Sequence, residues 1–178
     1  SRSSKSYNAF FHQHLFRHIN ANPDNIHLLQ GEPPGDMVSY CHSYERLIRD
    51  RGGIDVQLLG IGINGHLAFN EPMSSFGSRT RVSLLSAETR ERLSRTFNET
   101  AVPEWAVTMG LGTIAEARVL LVLAFGKEKA KAIAQAAEGP LTAAIPASSI
   151  QLHPHAVVIL DPEAAGDLKF KTYYQEQS

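Results

Sequence analysis

From position 60 to position 72 the chain reads Gly-Ile-Gly-Ile-Asn-Gly-His-Leu-Ala-Phe-Asn-Glu-Pro, and His66 and Glu71 are the residues in it whose types suit proton transfer. An imidazole titrates near neutral pH, and a nearby carboxylate fixes its tautomer and stabilises its charged form. Pro72 biases Glu71 toward an extended backbone, which helps hold the carboxylate in place. A plainer alternative is a loop histidine bonded to backbone, with the glutamate capping a following helix; spacing alone leaves both open. Gly60, Gly62 and Gly65 let the backbone turn sharply and approach a ligand closely. Their spacing also matches the dinucleotide fingerprint. That fingerprint requires a long helix at the third glycine and an acidic residue about twenty positions on, at the end of the next strand. Here Pro72 interrupts soon after Gly65, and Glu88 falls inside the helical pattern A-E-T-R-E-R-L-S-R-T-F, so a nicotinamide cofactor is disfavoured.

A loop of this kind needs a strand before it. Ile54 to Leu59 (I-D-V-Q-L-L) is predicted as that strand, and the apolar runs at 117–125 and 155–160 as further strands buried on both faces, as parallel strands under helices are. Helical patterns fall between them. Ser3 or Ser4 caps a first helix with Tyr7, Phe10, Phe11, His14, Leu15 and His18 on one face, stopping near Asn20 before the breaker Asn22-Pro23. I-H-L-L at 26–29 reads as a short strand and E-P-P-G at 32–35 as a turn. Asp36 to Arg51 reads as an amphipathic helix closed by Gly52-Gly53. Lys127–Glu138 and Ala147–Gln151 fit as later helices. Trp105, Phe97 and the leucine-rich 119–125 run are expected in the core. This alternation predicts one three-layer, Rossmann-like α/β domain over 1–178, with a mostly parallel sheet and helices on both faces. In such sheets ligands sit beyond the carboxyl ends of the strands, where Gly60–Pro72 would lie.

Composition narrows the partners. The 178 residues are 43% hydrophobic, and 17 basic side chains balance 18 acidic ones for a formal charge of -1. No basic stripe exists to collect nucleic acid or an anionic membrane surface, and no apolar run approaches bilayer length. Cys41 is the only cysteine, which excludes an internal disulfide and a thiolate metal cage and fits a reducing cytoplasm. The first residues lack the apolar stretch of a secretory signal. His14 with His18, and His153 with His155, lack a third ligand at recognisable spacing, so no metal is expected.

Four segments in this order, L-G-I-G-I-N-G-H-L-A-F-N-E-P, S-S-F-G-S-R-T-R, V-P-E-W-A-V-T-M-G-L-G-T-I-A-E-A-R-V-L-L-V-L-A-F-G-K-E-K-A-K-A-I and I-P-A-S-S-I-Q-L-H-P-H-A-V-V-I-L-D, resemble the glucosamine-6-phosphate deaminase family. The likeness extends over essentially the whole chain. The glycine-to-histidine segment is shared with 6-phosphogluconolactonases and galactosamine-6-phosphate isomerases, whereas F-N-E-P followed by S-R-T-R is much more specific to deaminases. The resemblance implies conversion of glucosamine 6-phosphate to fructose 6-phosphate and ammonia, with no metal, nucleotide or other cofactor. It implies that His66 moves a proton at the ring oxygen to open the sugar and that Glu71 orients and charges His66. Asn64 matches a position where many members carry aspartate and others asparagine, so one negative charge is absent beside His66.

By the same resemblance Arg95 and Lys129 bind the substrate phosphate, where the residues alone would read as solvated helix charges; arginine forks suit phosphate geometry. Ser74, Arg79 and Arg81 match the segment that binds an activating sugar phosphate in allosterically controlled members. Ser83 stands where those members supply a lysine, which argues against activation. Family members also carry a longer N-terminal portion with a phosphate-cradling loop and an Asp-Glu-Tyr segment whose aspartate takes the proton from carbon 2. The expectation is that apolar strand faces lie open in this chain and associate with such a segment or with another copy. The alternatives are a related isomerase or lactonase, or a sugar-phosphate sensor without turnover.

Overall fold

The computed structural model describes residues 6–33, 35–97 and 102–177, and the backbone alone of Phe97 and Gln177. In chain order the elements are α1 (Tyr7–His14), α2 (Met37–Asp50), β1 (Val56–Gly60), β2 (Arg81–Leu84), α3 (Ala87–Phe97), β3 (Trp105–Thr108), α4 (Leu111–Ala115), β4 (Val119–Ala124), α5 (Ala130–Glu138), β5 (Ala156–Leu160) and α6 (Lys171–Gln177). Short 3₁₀ turns cover Phe16–His18, Pro23–Asn25, Lys127–Lys129 and Pro146–Leu152. The class is α/β with a parallel sheet flanked by helices, as the alternating patterns predict.

Three strands form that sheet in the order β1-β4-β5, both pairings parallel. Alternation along β4 sends Leu120, Val122 and Ala124 to one face, where they are buried with Leu59 of β1. Leu111 and Ile114 of α4, Ala132, Ile133 and Ala136 of α5, and Ala147 and Ile150 of the 146–152 turn close over them. Small alanines at 132 and 136 flank Ile133 on the buried side of α5, so the helix packs closely with one large side chain in the cluster.

The other face differs from the expectation of burial on both sides. Register sets Leu58 beside Leu121 and Val157, and Gly60 beside Leu123 and Ile159. Leu58 is 58% exposed, Val157 49% and Ile159 46%. Among the described residues no element seals this row, so the apolar strands carry a core on one side only.

Local chemistry explains most helix limits. Asp36 caps α2, its carboxylate accepting the Ser39 N–H at 2.7 Å. Gly52 and Gly53, at φ of +86° and +89°, end it as expected. Ser6 caps α1 by accepting the Ala9 N–H at 3.2 Å, while Ser3 and Ser4 lie outside the described residues. α1 stops at His14, earlier than Asn20, because Leu15 leaves helical angles. Its aromatic residues stay exposed rather than entering the core, with Tyr7 packed edge-on against Phe69.

Residues 26–29 form no strand. The neighbouring backbone is served by α2 side chains instead: Tyr44 donates to the His27 carbonyl at 2.9 Å, and Tyr40 accepts the Gln30 N–H at 2.9 Å. The antiparallel pair β2–β3 was not expected; four-residue strands of mixed polarity carry almost no periodic signal. Trp105 on β3 is 57% exposed and Phe125 55%, so neither is core, and the Phe97 side chain lies outside the description.

A buried carboxylate ties α2 to the segment before β2 and to α4. Glu45 is 5% exposed and accepts from the Thr80 N–H at 2.8 Å, the Thr80 and Thr113 hydroxyls, and Arg79 through Nε at 3.0 Å and Nη2 at 2.7 Å. Burial would raise its pKa, but these donors outweigh it and lower the value. Removing such a carboxylate strands several donors in a place water does not reach. Glu45→Ala should therefore lower unfolding stability by about 3 kcal/mol in urea denaturation; a loss under about 1 kcal/mol would contradict this role for Glu45.

Candidate active site

The glycine loop leaves the carboxyl end of β1 and folds back on itself. Gly62 N–H donates to the His66 carbonyl at 2.9 Å, and Gly65 N–H to the Gly62 carbonyl at 2.9 Å. Gly65 takes φ +81°, and a Cβ there would sit 2.8 Å from Ile145 Cγ2. At Gly62 an added Cβ would run into the His66 ring, so this glycine is the seat of the imidazole. Gly60 has open space around it within 4 Å. Fully buried Leu67 anchors the loop through short antiparallel bridges to Ile61 and Asn70.

The loop brings three of the sequence-predicted residues together. Asn64 Nδ2 donates to Glu71 Oε2 at 2.9 Å, and Asn64 Oδ1 accepts the His66 N–H at 3.2 Å. His66 Nδ1 lies 3.6 Å from Glu71 Oε2. That is just beyond hydrogen-bond length, and Nδ1 is buried with no other partner, so closure by a few tenths of an ångström completes the pair. Glu71 Oε1 accepts the Ser86 N–H at 3.3 Å. Burial pushes the Glu71 pKa up, but the neighbouring His66 and Thr89 side chains and the hydrogen bond from Asn64 prevail, lowering it to about 2. Glu71 is thus a permanent anion at neutral pH.

Lys129 reaches the same rim from the turn after β4. Its Nζ donates to the Ile61 carbonyl at 2.7 Å. Burial lowers its pKa, with a further contribution from Arg92 and opposition from Glu128. Arg92 pairs with Glu128, so α3 is joined to this turn. The β5 exit loop supports it too, with Asp161 Oδ2 accepting the Gly126 N–H at 2.9 Å.

Arg95 is not brought in. It is 78% exposed and pairs with Glu91 one helical turn away, at 2.5 Å. Arg79 is engaged by Glu45 and Glu116. Arg81 instead donates to Asn70 Oδ1 at 2.7 Å and to Ser74 Oγ at 3.1 Å. An open cleft of about 820 Å³ is lined by residues that include Asn64, Glu71, Ser74, Arg81, Ser83 and Ser86. His66, Lys129 and Arg95 are not on its wall.

Three supporting residues went unnoticed in the sequence. Asn70 is fully buried and donates to the Leu67 carbonyl at 3.1 Å and the Met109 carbonyl at 2.8 Å, fixing the residue next to Glu71. Ser86 starts α3, its Oγ accepting the Thr89 N–H at 3.1 Å while its own N–H meets Glu71; a serine just before a helical pattern is the capping signal that could have found them. The histidine pairs are otherwise engaged: His153 Nε2 meets the Ala117 carbonyl at 2.8 Å, and its Nδ1 accepts the His155 N–H at 3.1 Å. Among the described residues no group of three or more His, Cys, Asp or Glu could hold a metal, and no helix is long and apolar enough to cross a membrane.

Residues 1–159 match the family model described as glucosamine-6-phosphate isomerases/6-phosphogluconolactonase. The chain belongs to this family. It is 50% identical over 172 residues to glucosamine-6-phosphate deaminase 2 of Bacillus subtilis (strain 168), covering 95% of this chain and 69% of that protein. It is 45% identical to the glucosamine-6-phosphate deaminase of Hahella chejuensis (strain KCTC 2396), covering 96% of this chain and 65% of that one. A solved monomeric glucosamine-6-phosphate deaminase superimposes with a TM-score of 0.89 at 39% identity, over 93% of this chain and 69% of that chain. The chain thus spans about two thirds of the length of the relatives it matches.

Two outcomes follow from this geometry. Gly62→Ala should displace the imidazole, seen as moved His66 resonances in ¹H–¹⁵N NMR of an otherwise native spectrum; unmoved resonances would count against the seat. Because the folded pKa of Glu71 lies below its unfolded value of about 4.3, its ionised form stabilises the fold above that pH, and this is lost as pH falls toward about 2. Glu71→Gln should therefore lose most stability above about pH 5 and approach the parent protein as acid is added, in denaturant melts at stepped pH.

Proposed function

We propose that the protein converts glucosamine 6-phosphate and water to fructose 6-phosphate and ammonia, in amino-sugar catabolism in the cytoplasm. The observation that carries this is the Asn64–Glu71–His66 cluster, seated on Gly62 at the rim of a parallel sheet and followed by the deaminase-like F-N-E-P and S-R-T-R segments. Relatives named for this activity, at 45–50% identity, support it.

In this reading His66 shuttles the proton at the ring oxygen as the pyranose opens. Glu71, a fixed anion beside the imidazole, stabilises the charge that develops on the ring as the proton moves. Asn64 contributes orientation without charge: it spends one donor on Glu71 and one acceptor on the His66 backbone. Lys129 supplies a phosphate-binding cation at the loop. Arg95 joins it by leaving Glu91, an exposed pair whose loss costs only ~0.5 kcal/mol. The cleft at Ser74 and Arg81 suits a second sugar phosphate, where neutral Ser83 weakens the hold. The open apolar sheet face supports association with a further segment of the protein or with another copy.

The test is ammonia release from glucosamine 6-phosphate by purified protein. His66→Gln should lower turnover about a hundredfold with KM within severalfold. Hydrolysis of 6-phosphogluconolactone without ammonia would overturn the reading in favour of a lactonase. Tight sugar-phosphate binding without turnover would make the protein a sensor.

A further inference from the structure

A turn with a strained backbone stays shut only if something outside it holds it. Ala68, at φ +51°, lies inside the turn from Leu67 to Asn70, which the Asn70 N–H closes on the Leu67 carbonyl at 2.9 Å. The Asn70 side chain doubles that closure and carries it further. Its Nδ2 donates to the same Leu67 carbonyl at 3.1 Å and to the Met109 carbonyl at 2.8 Å, while Oδ1 accepts Arg81 Nη1 at 2.7 Å. A guanidinium only donates and a carbonyl only accepts, so these partners fix which end of the amide faces which. The group is fully buried, and water does not replace a partner that is lost.

The partners belong to three pieces of the fold: Leu67 to the glycine loop, Met109 to the exit of β3, and Arg81 to the start of β2. The distant anchors are firm. β2 and β3 pair with each other along their length, and just past Met109 the Leu111 N–H donates to Ser78 Oγ at 3.0 Å. The Phe69 N–H adds a second stitch to the end of β3, on Thr108 Oγ1 at 3.1 Å. Glu71 follows Asn70 directly in the chain, so its backbone takes the place that Asn70 is given. Its Oε2 stands 3.6 Å from His66 Nδ1, a gap at which a small displacement decides whether the two meet.

We propose that Asn70 is a positioning residue for the proton relay: by pinning the strained turn before Glu71 to the β2–β3 pair, its amide sets the distance of the Glu71 carboxylate from His66. Sealed from solvent, Asn70 touches neither substrate nor reacting atom and acts through Glu71. Side chains of similar size do not replace it. An aspartate would turn a carboxylate on two carbonyl oxygens, and a leucine would leave those oxygens and Arg81 without their partner. The inference rests on the proposed deaminase chemistry for its kinetic consequence, though not for its structural one.

The test compares Asn70→Ala, which removes the side-chain hydrogen bonds, with Thr113→Val, which loosens the buried Glu45 hub and leaves the loop's bonds intact. Both purified variants are assayed at a temperature where they are folded. Asn70→Ala should lower kcat roughly tenfold with KM within about threefold, as a misplaced relay does when binding is untouched. Thr113→Val should keep kcat within about twofold of the parent. Carbon-13 NMR of the Glu71 carboxyl gives a readout independent of turnover: its titration midpoint should move up in Asn70→Ala and stay in place in Thr113→Val. Parent-like kcat together with a parent-like Glu71 titration in Asn70→Ala overturns the proposal. Equal kcat losses in the two variants, with the Glu71 midpoint unmoved, also overturn it by reducing Asn70 to a source of stability. Should the alanine variant fail to fold, Asn70→Ser, which keeps one donor, is read by the same titration, and an unmoved midpoint there overturns the proposal. Absence of ammonia release in the parent would sink the deaminase reading alone, and the Glu71 titration would still decide the role of Asn70.

Discussion

A carboxylate kept ionised where water scarcely reaches it is the constraint that organises this molecule. Glu71 costs free energy to bury as an anion, and that cost is met only where donors arrive from several directions. Asn64 arrives from the glycine loop, Ser86 from the start of α3, and His66 across a short gap. Asn64 and His66 share the loop with Glu71, but the Ser86 N–H reaches it only once β2 and the start of α3 are in place. The anion is therefore a product of tertiary assembly, and its low pKa reports that assembly.

The parallel sheet is what makes the convergence possible. Parallel strands deliver their exits to one edge, so the loops after β1, β4 and β5 become neighbours although they are far apart in the chain. They are then tied to each other through their backbones: Lys129 to the Ile61 carbonyl, and Asp161 to the Gly126 N–H. A second buried carboxylate, Glu45, does the same work away from the rim, joining α2, the Thr80 backbone and α4. In both places an acidic side chain is the hub: hydroxyls, a backbone amide and a guanidinium surround Glu45, and a side-chain amide, a backbone amide and an imidazole surround Glu71.

Much of this was legible in the chain itself, for physical reasons. α2 carries its own start and stop in Asp36 and Gly52-Gly53, and continuous apolar runs announced the parallel strands. The proton-transfer cluster could be read because Asn64, His66 and Glu71 lie within one short loop, where chain connectivity alone keeps them close. What escaped notice depends on partners far away in sequence. The I-H-L-L segment has the composition of a strand but finds tyrosine hydroxyls of α2 in place of a ladder. β2 and β3 are too short and mixed to show a period, and Trp105 faces outward from one of them. Arg95 has the right type for a phosphate site yet sits with Glu91 in solvent, a matter of side-chain direction that spacing does not encode.

Two residues flanking the acidic end of the loop adopt backbone angles that L-amino acids with side chains resist: Ala68 at φ +51° and Met73 at φ +72°. Each is held there by what surrounds it, Ala68 by the buried Leu67 before it and Met73 by its N–H on the Ala143 carbonyl at 2.7 Å. The segment from Phe69 to Pro72 is thus suspended between two sprung joints while the strands beneath are relaxed. A change that relaxed either joint would turn the carboxylate away from the imidazole without needing to disturb the sheet below.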